Sequence, residues 1–385
     1  MYNKRLNFWA ACAGILLFGV SITTLGSVLP DLRTKFLLDD IAAGTLFSIL
    51  PFGLLVGSLV FGPICDRYGY KVLLGVACLS MFAGFEGIAY APSMGLLQAC
   101  IFLFGMGGGA INGATSSLVS DISDENKGAN LSLLGVFFAI GALGMPLVLG
   151  ILKDLYSYET TVSIVGFATL ALSVFYFLIV FPPAKHAGAL PLARAKFLFK
   201  DSWLLLVAFF LFFQSAFEGI INNWTTSFLG TSLQMPENKA LFALSLFVVG
   251  MTAMRLLIGS VFRKTPAKTI WAISFFLLLL GLILLLVATQ FVIATAGLIC
   301  IGGGLAAGFP LMLGMVGERY KDISATAFSF VLVIALAGNM IINYGMGVIA
   351  QHYGIRHLIT VGIAELFIMA VLCFFILKKN SQIHK

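Results

Sequence analysis

Long apolar runs, separated by short polar turns, fill this chain from end to end. Read as helices, they fall at 8–30, 41–61, 72–91, 95–119, 130–151 and 159–181. A second group follows at 203–230, 239–261, 269–289, 291–316, 324–351 and 357–377. Each run is long enough to cross a hydrocarbon core of ~30 Å. The longest non-apolar stretch is 182–202, with Lys185, His186, Arg194, Lys196 and Lys200. It is the expected linker between two six-helix halves, 1–181 and 203–385.

The halves repeat. Phe61 to Lys71 reads FGPICDRYGYK, and Ile258 to Lys268 reads IGSVFRKTPAK, 197 positions on. That offset pairs Gly62 with Gly259, Lys71 with Lys268, Ser132 with Ser329, Gly150 with Gly347 and Tyr156 with Tyr353. Two duplicated membrane halves are the pattern of a secondary transporter that rocks about a central site. The expected fold is all-α and integral to the membrane: twelve transmembrane helices in two pseudo-symmetric six-helix bundles.

Composition supports the membrane reading. The chain is 60% hydrophobic and 10% charged, with a mean hydropathy of +1.04. A soluble domain carries about 25% charged residues. The net charge of +7 is spread through short turns, so no nucleic-acid partner is expected. The six cysteines lie mostly in apolar runs without ligand spacing, so no disulfide, metal site or cofactor is expected. Of the 23 lysines and arginines, five (Arg33, Lys35, Lys153, Lys239, Arg356) fall in one set of turns and Arg255 inside a span. The other 17 fall in the opposite turns, the linker and the tails. By the positive-inside rule both termini and the linker face the cytoplasm of a plasma (bacterial inner) membrane. The apolar run after MYNKR lacks a small-residue cleavage site and reads as a retained first helix.

The run Gly62-Pro-Ile-Cys-Asp66-Arg67-Tyr-Gly69-Tyr-Lys71 resembles the major facilitator signature between helices 2 and 3, G-x-L-x-D-R-x-G-R-K. It departs at Tyr70, where a basic residue is common. The resemblance implies a gate built from Gly62, Asp66, Arg67, Gly69 and Lys71. Glycines permit close approach and a tight turn, and Asp66 can pair with cations or receive a helix N-terminus. A narrower resemblance, to the fucose/glucose–galactose sugar porters, rests on three segments. These are Gly107-Gly-Gly-Ala-Ile-Asn112 with Leu118-Val-Ser-Asp121, the run from Leu131 to Leu143, and Glu218 with Asn222, Asn223 and Trp224. Asn112 stands where that branch would place an acid, Gly135 where it would place a histidine, and helix 1 has no acid before Asp31. The resemblance therefore implies that the usual proton-carrying acid of the first half is missing.

Ionisable groups inside a membrane are costly and mark function. Glu86, Glu218, Arg255 and Glu365 lie inside spans. Gln214, Glu218 and Asn222 recur every four residues, so helix 7 carries a polar stripe. Amides recognise hydroxyls, and an indole face stacks on the apolar face of a sugar ring. The expected solute ligands are Asn112, Gln214, Glu218, Asn222 and Trp224, with Glu218 as proton carrier. Asn339 and Asn343 on helix 11 are expected nearer the bundle interface. Arg255 reads as a bundle ion-pair or snorkelling residue. The glycine clusters Gly107–Gly109 and Gly302–Gly304 read as close helix packing, with a backbone contact to solute as the alternative.

No catalytic constellation or ATP-binding motif is present, so an enzyme and a primary pump are both disfavoured. A transport-free sensor has no soluble signalling domain to support it. The expected function is secondary transport of a small polar solute, a sugar, by a monomer in the lipid bilayer. Proton symport, sodium coupling and uniport stay open. Efflux of drug-like solutes is the rival, since Gly141, Gly144, Pro146 and Gly150 resemble an antiporter signature apart from Met145 before the proline.

Overall fold

The computed structural model describes residues 2–38, 40–152, 155–184 and 197–383. The expected linker charges Lys185, His186, Arg194 and Lys196 lie outside the described residues, as do Lys153 and Lys385. Among the described residues every regular element is helical, and twelve helical spans are long and apolar enough to cross a membrane. The first six are α1 (Lys4–Phe36), α2 (Asp40–Tyr68), α3 (Tyr70–Tyr90), α4 (Met94–Ile122), α5 (Lys127–Leu152) and α6 (Tyr158–Leu178). The rest are α7 (Ser202–Ser232), α8 (Glu237–Gly259), α9 (Ala267–Leu286), α10 (Phe291–Arg319), α11 (Ser324–Tyr353) and α12 (His357–Ile383). All twelve coincide with the apolar runs.

One span departs from its reading. The run at 291–316 is not one continuous helix: α10 is interrupted at Ala306 and Ala307, between Phe291–Leu305 and Gly308–Arg319. Pro310 favours a break there, since it has no N–H for the carbonyl of Ala306 and crowds it.

The chain forms two compact units. Unit 1 holds Met1–Asp124, Leu134–Ala195 and Gly317–Ser329; unit 2 holds Glu125–Leu133, Lys196–Val316 and Phe330–Lys385. Each thus incorporates a short segment from the other half of the sequence. Within unit 1, α4 packs on α1, α2 and α3, and α3 on α6. Within unit 2, α10 packs on α8 and α9, α9 on α12, and α7 on α8 and α12.

The duplication persists in the packing. A Cβ on Gly105 would strike the carbonyl oxygen of Leu50, and one on Gly302 that of Phe247, which is Leu50 displaced by 197. A Cβ on Gly107 would stand 2.5 Å from Ala77 O, and one on Gly304 2.8 Å from Ser274 O, again the same offset. These glycines let α4 and α10 approach their neighbours backbone to backbone, the main attraction available between helices in lipid. Packing therefore accounts for glycines of both clusters. Gly302→Ala is expected to force α10 off α8 and destabilise the protein by about 1–3 kcal/mol, as overpacking does. An unchanged melting temperature in detergent would refute the close-approach account.

Candidate functional site

The polar stripe of α7 lies in unit 2, and its members have different fates. Gln214 is 1% exposed and donates Nε2–H to the carbonyl of Leu305 at 2.8 Å. Glu218 and Asn222 are half-buried, and Asn222 returns its amide to the carbonyl of Glu218 at 2.9 Å. That bond stays within one helix and leaves the Asn222 amide oxygen for a ligand. Trp224 is half-buried beside α11, where a Cβ on Gly347 would lie 3.4 Å from the indole ring. Thr225 on the same face is buried. Asn112 is half-buried on α4, in unit 1, and beside it Thr115 turns its hydroxyl to Ile111 O at 2.7 Å.

Arg255 of α8 supplies the charge that acts on Glu218. It is only 8% exposed, so it does not snorkel to a water interface. Its place within an apolar run marked it as unusual, but the acid that its charge acts on lies 37 residues away and no sequence pattern joins the two. An acid and a base on adjacent helices can change their joint charge by one on taking up a proton.

Sequence reasoning missed an amide ladder joining α7 to α11. Asn223 Nδ2 donates to Asn343 Oδ1 at 2.9 Å, Asn343 donates to Asn339 O at 2.9 Å, and Asn339 donates to Ser215 O at 2.8 Å. Gly219 makes room for it. The four-residue spacing of Asn339 and Asn343 was the available signal. Such side-chain bonds hold helices together in lipid.

The signature residues gather in unit 1. Asp66 is 2% exposed, and its Oδ2 accepts from Thr326 N at 2.9 Å and Thr326 Oγ1 at 2.5 Å. Thr326 is in the first turn of α11, where N–H groups lack helical partners and the helix dipole favours an anion. Gly62 lies against that turn: a Cβ there would be 2.6 Å from Ala325 O. Gly69 has φ +81 and donates its N–H to Cys65 O at 2.7 Å, turning the chain from α2 into α3. Arg67 lies over the ring of Tyr68 at 5.0 Å, and Lys71 is exposed. Tyr70 occupies the place of the usual basic residue. Its hydroxyl donates to Asp121 Oδ2 at 2.5 Å, while Ser324 donates to Asp121 Oδ1 at 2.7 Å. A phenol at this position thus bonds a carboxylate of α4.

Two serine bonds correspond to one another at the 197 offset. Ser329 donates to Ser58 O at 2.5 Å within unit 1, and Ser132 donates to Arg255 O at 2.9 Å within unit 2. Glu86 accepts from Ser163 at 2.9 Å, which binds α3 to α6. Glu365 is 2% exposed on α12. A cavity of about 520 Å³ opens in unit 1 among the ends of α1, α5 and α6, where Asp31, Glu159, Tyr156 and Tyr158 line it.

A family model described as the Major Facilitator Superfamily matches residues 11–338. Among curated relatives, the uncharacterized transporter y4wD of Sinorhizobium fredii is 22% identical over 355 residues, covering 91% of this chain and 93% of that protein. The multi-drug resistance efflux pump PmrA of Streptococcus pneumoniae is 26% identical over 320 residues, covering 81% of this chain and 76% of the pump. Among solved structures, the E.coli fucose:proton symporter FucP superposes with a TM-score of 0.82 at 17% identity, covering 97% of this chain and 99% of that one.

Proposed function

Since the chain belongs to the Major Facilitator Superfamily, and is therefore a multi-pass membrane transporter, we propose that it carries a small polyhydroxylated solute of the sugar class by alternating access with proton symport. One half-buried face of α7 carries this reading: Glu218 and Asn222 share it, with the charge of Arg255 acting on Glu218, while Trp224 stands on another face of the same helix beside α11. Carboxylate and amide oxygens accept from sugar hydroxyls, and an indole accepts the apolar face of a ring. Asn112 adds an amide from α4. The fold shared with a fucose:proton symporter supports the solute class.

In this reading the bundles 1–181 and 203–385 rock about the solute, joined by the linker at 182–202. The signature residues Gly62, Asp66, Arg67, Gly69 and Lys71 form the gate. The protein works as a monomer in the plasma (bacterial inner) membrane with both termini cytoplasmic, and needs no cofactor. Drug efflux is the second reading. It is favoured by the likeness to PmrA and by the cavity with two carboxylates and two tyrosines, a combination that attracts organic cations.

Counterflow in proteoliposomes against a sugar panel, with and without an imposed pH gradient, decides between them. Sugar counterflow accelerated by an acidic exterior is expected. Exchange of hydrophobic cations with no response to any sugar would replace this reading by efflux.

A further inference from the structure

The interruption of α10 creates a problem that hydrocarbon cannot solve. Leu305 is 1% exposed and Ala306 and Ala307 are fully buried, so a carbonyl released there finds no water. The Gln214 carboxamide meets that need at Leu305 O, across 91 residues of sequence. It also fills the space over Gly308: a Cβ there would strike the carboxamide, with Nε2 at 2.9 Å. One side chain thus touches both sides of the joint.

The duplicated half serves as an internal control. Displaced by 197, Pro310 corresponds to Gly113 and Gln214 to Leu17. The corresponding helix, α4, runs unbroken from Met94 to Ile122. The half without the proline has no interruption there, and it has leucine in place of the amide. Proline and amide occur together in the half that carries Glu218.

We infer that Gln214 is a positioning residue and not a solute ligand: its carboxamide clamps the Pro310 joint of α10 and holds the direction of Gly308–Arg319. Gln214 lies one turn before Glu218 on α7, so a ligand at Glu218 sits one turn from the joint. The clamp itself does not depend on what that ligand is.

The test is hydrogen–deuterium exchange on the full-length protein in detergent, which needs no solute. Gln214→Met keeps the volume and removes the donor. It is expected to raise exchange in peptides spanning 304–312 by roughly three- to tenfold, the range for one side-chain bond to a buried carbonyl. Peptides from α4 should be unchanged. Pro310→Ala removes the ring that crowds the joint and lets the backbone ladder close across it, with Phe309 N–H reaching Leu305 O, so it should return the Gln214→Met variant to the parental rate. Unaltered exchange at 304–312 in Gln214→Met, or an increase that Pro310→Ala does not reverse, overturns the inference. If Gln214→Met does not yield folded protein alone, the Gln214→Met/Pro310→Ala pair must yield it; failure of the pair also overturns the inference.

Discussion

Asp66→Ala is expected to release the first turn of α11 from α2. The variant strands a buried N–H and a buried hydroxyl of Thr326, both now bonded to Asp66 Oδ2. Each unsatisfied buried donor costs about 1–3 kcal/mol, so the released state should gain at least about tenfold in population. Asp66→Asn keeps an acceptor but loses the charge, and a charge-assisted bond is about twice as strong as a neutral one. Its effect should fall between parent and alanine. A cysteine placed at Ala325, which is fully buried, reports the change through its rate of maleimide labelling. The expected order is parent slowest, Asp66→Asn intermediate and Asp66→Ala fastest. Equal rates in all three would mean that Asp66 does not hold α11, and the proposed gate would lose its central residue.

Glu218→Gln is expected to uncouple transport without stopping it. Glutamine keeps the shape and hydrogen bonding of the acid but cannot exchange a proton. For one proton per solute, a gradient of about one pH unit is worth ~1.4 kcal/mol, or about tenfold accumulation. The parent should approach that ratio with an acidic exterior, and Glu218→Gln should equilibrate near unity. Counterflow should persist in the variant, because exchange needs no net proton movement. A variant that still concentrates solute would remove Glu218 as carrier. A parent that never concentrates it would make the protein a uniporter, with Glu218 as a hydrogen-bonding group in the site.

Much of the fold is legible because hydropathy is local. A window of ~20 residues reports whether a segment can cross a bilayer, and all twelve spans follow from it. The offset of 197 is likewise visible in the residues alone. It extends to packing partners that no alignment of types would reveal, such as Leu50 with Phe247 behind Gly105 and Gly302. The α10 interruption was partly legible, since Pro310 stands within an apolar run. The run's hydropathy hid it, because proline and glycine scarcely lower an average dominated by leucine and alanine.

By itself, the sequence determined the helical class, the number of spans, the repeat and the chemical types on each helix face. Those properties depend on residues within a few turns of one another. Only the tertiary structure decided which polar groups are used up by the protein. Gln214 and Glu218 are one turn apart on the same stripe, yet one amide is committed to Leu305 while the acid meets the field of Arg255. Asn223 is spent on Asn343, whereas Asn222 keeps an acceptor. Tyr70, a mere departure from a signature, binds Asp121. The groups at Gln214, Glu218, Asn223 and Tyr70 meet partners 91, 37, 120 and 51 residues away. In hydrocarbon a polar atom must find such a partner, and packing decides which atoms do.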